Sequence, residues 1–396
     1  MSEDALSAGS RPRRSRVGEI RARLAAAGVE RPDAEAWAML ERVSGRDRLS
    51  WLTEPDAGLT VTQQARLDAW IAGRAGGVPL QHLLGVAPFW GLELEAGPDA
   101  LIPRPETERL VELALTAIED RDAPRILDLG TGSGAVAIAL ARERPAAQVW
   151  AADVDAAALA VAQRNVDAFA PGVRLLRSDL LEAPEVRALL PGLDLLVANL
   201  PYLPDADAAT LPPEVRREPP LALFGGPDGL GPFRRAWRRL RERLPLTAEA
   251  WFELDPRNVA VAAAEVRADP AAAGRPIEIA DDLAGRPRFL RIGRTTEDGR
   301  TDRLTACRPA GPARTLASHA TTGSTAVRGL PIARRARGCR AGHGGSPCVR
   351  SSPCSCSRRR WSPASATPRR WWWRIAPCRP AWTPPTRRTC SRRTSR

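Results

Sequence analysis

The sequence predicts an α/β protein in which a helical bundle precedes a seven-stranded, Rossmann-like domain. Two observations predict this fold class. From about residue 125, seven short apolar runs alternate with helical segments, and a glycine-rich turn follows the first run. Because the runs are continuously apolar, they are typical of strands buried on both faces of a parallel sheet. We therefore expect a doubly wound parallel sheet.

The N-terminal bundle is predicted from helical periodicity between residue 15 and about residue 85. Leu24, Trp37, Leu40 and Val43 recur at helical spacing, and Pro32 lies near a predicted helix start. A further helical segment, "TVTQQARLDAWIAGRAGG", ends on a pair of glycines. These patterns indicate a small domain made of helices.

The predicted strands follow one another at short intervals. In chain order they are "RILDLG", "QVWAAD", "VRLLRSD", "LDLLVAN", "AEAWFELD", "IEIADD" and "RPRFLRIG". The last two lie close enough in the chain to pair as a hairpin. The expected division is a helical domain over residues 1–85, a linker over 86–108, the sheet domain over 109–296 and a tail over 297–396.

Charge separates the tail from the rest of the chain. The formal charge of +13 suggests a nucleic-acid partner, but every acidic residue lies at or before Asp302. All basic residues are arginines, and residues 1–302 hold 38 of them against 46 acids. That part of the chain is therefore mildly acidic, which does not favour a phosphate-tracking protein.

Cysteine usage and hydropathy limit the chemistry and the compartment. All seven cysteines lie between Cys307 and Cys390, so the rest of the chain offers no thiolate nucleophile or cysteine-based zinc site. We expect no metal site. The N-terminus lacks the apolar segment of a signal peptide, and no run of 18 apolar residues occurs. The sequence therefore predicts a cytoplasmic protein without a membrane partner.

The tail over residues 297–396 has two interpretations. It is rich in Arg, Pro, Ser, Cys and Trp, and it shows neither strand nor helix periodicity. One interpretation is a basic arm that holds RNA through its phosphates, with "WWW" stacking on bases. The interpretation we prefer is a disordered segment or the product of a frameshift near residue 300, because out-of-frame translation of a GC-rich gene gives this composition.

The strongest chemical motif is the turn "DLGTGSGAVAIAL", which begins at Asp128. It follows the first predicted strand and opens a helix, with Gly130, Gly132 and Gly134 at alternate positions. Glycines allow positive φ and let a ligand approach the backbone, and the helix N-terminus supplies free N–H donors. The spacing differs from the G-x-G-x-x-G of dinucleotide folds. It resembles the first motif of S-adenosylmethionine (SAM) methyltransferases.

Acidic residues end the next two predicted strands. Asp153 closes "QVWAAD", where a carboxylate can accept both ribose hydroxyls of an adenosyl group, and Asp155 is the competing candidate. Asp179 closes the third strand, where such enzymes contact adenine. Each could be a solvated carboxylate. Together with Asp128 after the first strand, however, Asp153 and Asp179 make three acids at successive strand ends, which favours a ligand site.

The stretch "VANLPYLPD" ends the fourth predicted strand. Methylation of an amide or exocyclic amine nitrogen requires acceptors that grip its N–H bonds and orient its lone pair. Asn199 offers its side-chain carbonyl, and Leu200 offers its backbone carbonyl. Pro201 fixes the turn, and Tyr202, the only tyrosine, can pack its ring over a planar substrate group. Asn199 and Tyr202 are therefore the candidate catalytic residues.

This stretch resembles the Asn-Pro-Pro-Tyr motif of amino-methyltransferases, with Leu200 in the second place. An Asn-Leu-Pro-Tyr form occurs in ribosomal RNA adenine dimethylases, so the four residues alone leave RNA open as a substrate. The segments "PLQHLLGVAPFWGLELEAGPDALIPRPETERLVELAL" and "EPPLALFGGPDGLGPFRR" are similar to the protein-glutamine methyltransferases that modify peptide chain release factors. The resemblance covers roughly residues 17–294.

The resemblance implies transfer of a methyl group from SAM to the glutamine of a release factor's Gly-Gly-Gln loop. Alternatives are a ribosomal-protein glutamine methyltransferase and an RNA adenine N6-methyltransferase. The family resemblance also implies a protein partner and no requirement for nucleic acid. We expect the protein to be a monomer. The implied cofactor residues are Gly130, Thr131, Gly132, Ser133, Gly134, Asp153, Asp179, Leu180 and Asn199. The implied substrate residues are Asn199, Leu200, Pro201 and Tyr202.

Leu180 and the segment "LIPRPETE" complete the expectations. Leu180 occupies a place where relatives present an aromatic ring to the adenine. In "LIPRPETE", the two prolines could hold Arg104 and Glu106 near the cofactor pocket. A linker capped by Thr107 and Glu108 is an equally good interpretation of that segment.

Overall fold

The computed structural model describes residues 13–54 and 58–295 of the chain. The predictions for the tail concern residues 297–396, which lie outside the described residues. Within its described residues, the N-terminal part contains the helices α1 (Arg13–Ala26), α2 (Pro32–Ser44), α3 (Arg48–Thr53), α4 (Val61–Ala75) and α5 (Leu80–Leu84).

The helices begin and end where the local sequence favours it. Helix α2 starts at Pro32, whose fixed φ suits a first helical turn, and stops at Gly45, which has a φ of +69°. Helix α4 starts with a capping box between Thr60 and Gln63. Leu24 and Leu40 from the periodic pattern are completely buried in the bundle core. The predicted helical bundle is therefore present.

A two-stranded hairpin follows the bundle. Strand β1 (Val86–Phe89) pairs antiparallel with β2 (Leu92–Glu95). Trp90 at the turn has a φ of +51°, which is unusual for a residue other than glycine. The hairpin lies in the region predicted to be a linker, and it was not predicted from the sequence. Its strands are four residues long and the first contains Pro88, so no clear strand pattern is present.

The main sheet has seven strands. They are β3 (Arg125–Leu129), β4 (Gln148–Asp153), β5 (Arg174–Arg177), β6 (Leu195–Asn199), β7 (Glu249–Glu253), β8 (Ile277–Asp281) and β9 (Pro287–Ile292). Their spatial order is β5-β4-β3-β6-β7-β9-β8, and only β9 runs antiparallel to its neighbours. Each predicted run coincides with a strand, and the predicted hairpin is β8–β9. The predicted fold class is confirmed.

Helices precede β3 and connect most of the strands, and several of them pack on the sheet. They are α6 (Thr107–Ala117), α7 (Ala135–Glu143), α8 (Ala156–Phe169), α9 (Pro184–Leu189), α10 (Pro220–Leu223), α11 (Gly231–Leu240) and α12 (Val259–Ala268). The central strands are buried, and all five residues of β7 are buried. In the core, Phe233 of α11 packs edge-to-face on Phe252 of β7, with ring centroids 5.1 Å apart.

The strand order determines where a ligand can bind. From β3 the chain moves outwards to β4 and β5, then returns to place β6 on the other side of β3. The carboxyl ends of these four parallel strands meet at one edge, and the reversal beside β3 opens a crevice there. Among the described residues, no helix has the length and apolar character needed to cross a membrane.

Candidate active site

A cleft opens at this edge and collects most of the residues predicted from sequence. Those that line it are Gly130, Thr131, Gly132, Ser133, Asp153, Asp179, Leu180, Asn199, Leu200 and Pro201. Gly134 and Tyr202 lie outside its lining. Phe89, Leu101 and Leu221 line the cleft without having been singled out from sequence, because nothing in their local pattern separates them from core residues.

The glycine turn after β3 is shaped by backbone requirements. Gly130, Gly132 and Gly134 all have positive φ, between +56° and +84°. A Cβ on Gly132 would meet no atom within 4 Å, so that backbone faces open space. A Cβ on Gly134 would lie 3.3 Å from the Ile138 Cδ1 and 3.4 Å from the Cβ of Ala162, so its positive φ rather than crowding favours glycine there. The Gly132 backbone therefore leaves room for a ligand, whereas Gly134 is required by its backbone conformation.

The buried carboxylate of Asp128 holds the glycine turn and the start of α7 together. Its carboxylate accepts hydrogen bonds from the Thr131 hydroxyl at 2.7 Å and from the Ala137 N–H at 3.2 Å. Burial raises the pKa of Asp128 to about 7, although these two donors favour the charged form. The residue is 3% exposed. Asp128 thus orients the first turn of α7.

Asp153, the last residue of β4, is joined to the same turn. Its Oδ2 accepts the Gly132 N–H at 2.8 Å, and its Oδ1 accepts the Asp155 N–H at 3.0 Å. Burial raises its pKa, while those backbone donors oppose the shift. Each carboxylate oxygen retains a further lone pair for a ligand hydroxyl. Asp155 instead caps α8, accepting the Ala157 N–H at 2.9 Å, so the geometry favours Asp153 as the hydroxyl acceptor.

The end of β5 supplies a polar and an apolar group. Asp179 pairs with Arg235 of α11 and lines the cleft. Leu180 has a φ of +51°, and its carbonyl accepts a hydrogen bond from the buried Ser178 hydroxyl at 2.6 Å. Ser178 holds this strained turn and was not singled out from sequence.

Asn199, the last residue of β6, is oriented by Thr107. Its Nδ2 donates to the Thr107 Oγ at 3.0 Å. Thr107 is the first residue of α6 and belongs to "LIPRPETE", so that segment does supply a residue to the cleft. Because the amide nitrogen is turned towards Thr107, Oδ1 is the acceptor that Asn199 can offer to a ligand.

The residues after Asn199 form the floor of the cleft and its support. The Leu200 side chain is 3% exposed, and it packs so closely that a Cβ on Gly130 would lie 2.9 Å from its Cδ2. The ring of Tyr202 is partly buried and packs against two core clusters beside the cleft. Burial raises the pKa of Tyr202, and the carboxyl group of Glu253 adds to the rise.

The loop "GGPDGLG" packs directly against this stretch. Leu203 donates its N–H to Leu223 at 3.0 Å, and its carbonyl accepts the Gly225 N–H at 2.8 Å. A Cβ on Gly225 would lie 2.6 Å from the Pro201 carbonyl oxygen, and one on Gly229 would lie 2.1 Å from that of Tyr202. From its sequence this segment was predicted only to be a loop. The structure shows that its glycines permit the close approach of the two backbones.

A buried ion pair joins "LIPRPETE" to the loop after β6. Arg104 donates to Glu218 at 2.6 Å, and both side chains are under 10% exposed. The second oxygen of Glu218 accepts the Ile102 N–H at 3.0 Å. Arg104 lines the cleft, whereas Glu106 pairs with Arg286 at 3.3 Å outside the lining.

The cleft fits a ligand that carries a nucleoside. Asp153 offers carboxylate oxygens for vicinal hydroxyls, and Gly132 offers open backbone at the start of a helix. Leu180 and Ala158 supply apolar walls for a flat base. This fold and this site are those expected of a SAM-dependent methyltransferase.

Comparison with known proteins specifies the family. Residues 17–85 match the PrmC N-terminal domain, and residues 109–210 match the methyltransferase small domain. The release factor glutamine methyltransferase of Deinococcus radiodurans is 40% identical over 283 residues, which cover 71% of this chain and 98% of that protein. That of Moorella thermoacetica is 44% identical over 223 residues, covering 56% of this chain and 77% of that protein. The chain belongs to the release factor glutamine methyltransferase family.

The resemblance noted from sequence is thereby confirmed, as are the methyltransferase class and SAM as cofactor. Among solved structures, the hMettl16 catalytic domain in complex with an RNA hairpin is 15% identical, with a TM-score of 0.43. It covers 63% of this chain and 88% of that chain. This likeness has no bearing on the substrate.

Leu180 provides a test of the adenine contact. We expect Leu180→Trp to tighten SAM binding by about 3- to 10-fold, because an aromatic face stacks on adenine with about 0.5–1.5 kcal/mol beyond simple burial. The positive φ is already present with leucine, so it adds no new backbone strain. Calorimetric titration measures the affinity, with Leu180→Ala expected to bind more weakly. Weaker binding by the tryptophan variant than by the wild type would place the adenine elsewhere.

Proposed function

We propose that this chain methylates the side-chain amide nitrogen of the glutamine in the Gly-Gly-Gln loop of peptide chain release factors. The observation that carries the proposal is the fixed carboxamide of Asn199 at the end of β6. Its nitrogen is bound to Thr107, which leaves its oxygen to accept a substrate N–H. A planar substrate amide requires such an acceptor, because its nitrogen is a poor nucleophile unless it is oriented.

The chain's own residues bind and orient both reactants. The bound SAM supplies the sulfonium methyl group. Asp153 would accept the ribose hydroxyls of the bound cofactor, the turn over residues 130–134 would approach it through its backbone, and Asp179 and Leu180 would flank the adenine. Asn199 Oδ1 and the Leu200 carbonyl accept the two N–H bonds of the glutamine amide, which directs the nitrogen lone pair towards the donor. The methylated amide then loses one proton to solvent, so no general base is required.

The apolar rim excludes water from the reacting groups. Phe89, Leu101 and Leu221 line the cleft, and Leu221 is 59% exposed at its rim. A bound substrate loop can cover Leu221, which strengthens the hydrogen bonds within the cleft. Tyr202 remains a proposed substrate contact together with Pro201. Its support is its position directly after Pro201, since its ring packs beside the cleft rather than lining it.

We also propose the wider setting of this activity. The partner is a protein, nucleic acid is not required, and the enzyme acts as a monomer in the cytoplasm. The domain division proposed is residues 1–85 for substrate recognition, 86–108 as linker, 109–296 for methyl transfer and 297–396 as tail. The mildly acidic charge of residues 1–302 supports a protein substrate over RNA.

A mass assay with competing substrates tests the proposed function. The full chain is incubated with SAM and, in parallel, with a release factor, a large-subunit ribosomal protein and an adenine-containing RNA. We expect a single-methyl mass shift on the release factor, located by peptide mapping at the loop glutamine. A release factor whose loop glutamine is replaced by alanine is the control and should stay unmodified. Modification of the ribosomal protein or the RNA alone would refute the proposal and identify the alternative.

A further inference from the structure

A buried carboxyl group lies directly behind Asn199. Glu253 is the last residue of β7, and it is the register partner of Asn199 on the parallel strand β6. In-register residues of parallel strands project to the same face of the sheet. Glu253 is 1% exposed and does not line the cleft, so the proposed reaction leaves it without a role. Neither of its carboxylate oxygens makes a hydrogen bond of normal geometry among the described residues.

Thr107 connects the two side chains. It is 4% exposed, and its Oγ accepts the Nδ2–H of Asn199 at 3.0 Å. The strand register places Glu253 beside Asn199, and the Thr107 hydroxyl lowers the pKa of the Glu253 carboxyl group. A hydroxyl has one proton to donate and can accept through its lone pairs. With its oxygen accepting from Asn199, the Thr107 hydroxyl is free to donate its proton to Glu253.

The direction of this hydrogen-bond chain decides which end of the Asn199 amide faces the cleft. The oxygen and nitrogen of a carboxamide are nearly the same size, so hydrogen bonds determine its orientation. When Thr107 donates to a carboxylate, its lone pairs attract the Asn199 nitrogen, and the amide oxygen is left for the substrate. In the opposite orientation an NH₂ group would face the NH₂ group of the substrate glutamine, and no N–H could be gripped.

We propose that Glu253 is a positioning residue which, through Thr107, holds the Asn199 carboxamide with its oxygen towards the substrate amide. This inference rests on the proposed function, because it concerns the orientation of the substrate nitrogen. The hydrogen-bonded series then runs from Glu253 on β7, through Thr107 at the start of α6, to Asn199 on β6.

The surroundings of Glu253 make this chain sensitive to pH. Burial raises the pKa of Glu253 to about 7. The guanidinium of Arg288 and, after it, the Thr107 hydroxyl act in the opposite direction and lower this pKa. The Arg288 Nη1 lies 4.0 Å from Oε1. Glu106 raises the pKa further and Arg104 lowers it, while Tyr202 also faces the group. Glu253 therefore changes its charge within the range in which the enzyme can be assayed.

Protonation of Glu253 reverses the donor and acceptor roles in the hydrogen bonds that link it through Thr107 to Asn199. A neutral carboxyl group can donate to Thr107, whose proton is then free to bind the Asn199 oxygen and turn the amide. The active form is the deprotonated one, so kcat decreases as the pH falls through about 7 and is fully developed above that value. We expect a decrease approaching tenfold per pH unit on the acidic side.

The test compares Thr107→Val with Thr107→Ser across pH 5.5–9. Valine has the shape of threonine but cannot donate or accept a hydrogen bond. We therefore expect kcat at pH 8.5 to fall at least about tenfold, and the acidic limb of the pH profile, which is the decrease of kcat below about pH 7, to disappear. Serine keeps the hydroxyl and should restore both kcat and the limb. Glu253→Gln is a second variant that should also lack the limb, and SAM affinity should stay within about threefold throughout.

A direct readout of the amide does not require turnover. The chain has three asparagines, Asn165, Asn199 and Asn258, so asparagine-selective ¹⁵N labelling gives three side-chain amide signals. The Asn199 signal should shift with a midpoint near pH 7 in the wild type and lose that transition in Thr107→Val and in Glu253→Gln.

The outcomes separate this inference from the proposed function. A wild-type chain that binds SAM but leaves release factors unmodified at pH 8.5 overturns the proposed function. If the wild type is active, an acidic limb that persists unchanged in Thr107→Val overturns the role of Glu253. Loss of SAM binding in Thr107→Val with binding retained in Thr107→Ser would also overturn it, because Thr107 would then support the cofactor cleft instead.

Discussion

Replacing Asn199 with alanine should lower kcat for release factor methylation by about 100- to 1,000-fold, which is the typical effect of removing one preorganised group that stabilises a transition state. Alanine removes the only side-chain oxygen that β6 offers to the substrate amide, so the nitrogen is no longer oriented towards the methyl donor. SAM affinity should change by less than about threefold, because the ribose and adenine contacts come from other strands. Single-turnover mass spectrometry measures the rate, and calorimetry measures the affinity.

Asp205→Ala is the matched control for this variant. Asp205 lies on the same loop and is exposed, and its backbone N–H, which the substitution preserves, donates to Gly226 at 3.0 Å. We expect the control to have wild-type kcat. An Asn199→Ala variant with the kcat of the control would show that Asn199 does not orient the substrate.

Replacing Asp153 with alanine should weaken SAM binding by at least about 100-fold. Hydrogen bonds to a charged group contribute about 1.5–3 kcal/mol each, and the two ribose hydroxyls would lose both acceptors. The variant also releases the Gly132 N–H, which Asp153 holds at 2.8 Å, so the glycine turn loses part of its support. Calorimetric titration with SAM and with its demethylated product measures the effect.

Asp155→Ala distinguishes the two neighbouring carboxylates. Because Asp155 caps α8, its loss should cost about 1 kcal/mol of folding free energy and lower Tm by a few degrees. SAM affinity should stay within about threefold of the wild type. The reverse result, with Asp155→Ala losing SAM affinity and Asp153→Ala retaining it, would move the ribose contact to Asp155.

The sheet could be predicted because each strand is marked by a pattern of neighbouring residues in the sequence. Each of the seven strands is a short apolar run, and Asp153 at the end of β4 and Asp179 just after β5 stand where their runs end. Since the carboxyl ends of parallel strands meet at one edge, the sequence order was enough to place Asp153, Asp179 and Asn199 together.

The rest of the site depends on pairs that are distant in the chain. Arg104 and Glu218 are separated by 114 residues, and Thr107 and Asn199 by 92 residues. No spacing rule connects such residues, because only the folded sheet brings them together. Glu253 is hidden for a different reason: it lies within "AWFELD", where a buried strand pattern gives no sign that its acid faces another functional side chain.

The ion pair between Arg104 and Glu218 has a consequence for the autonomy of the methyl-transfer part of the chain. A fragment that begins at residue 109 would leave the Glu218 carboxylate buried without its guanidinium, and breaking such a pair costs about 3–5 kcal/mol. It would also remove Glu95, whose backbone N–H donates to the Asn165 side chain of α8 at 2.7 Å. The segment before α6 and the sheet should therefore unfold as one cooperative unit, and proteolysis between them should inactivate the enzyme rather than release a working catalytic fragment.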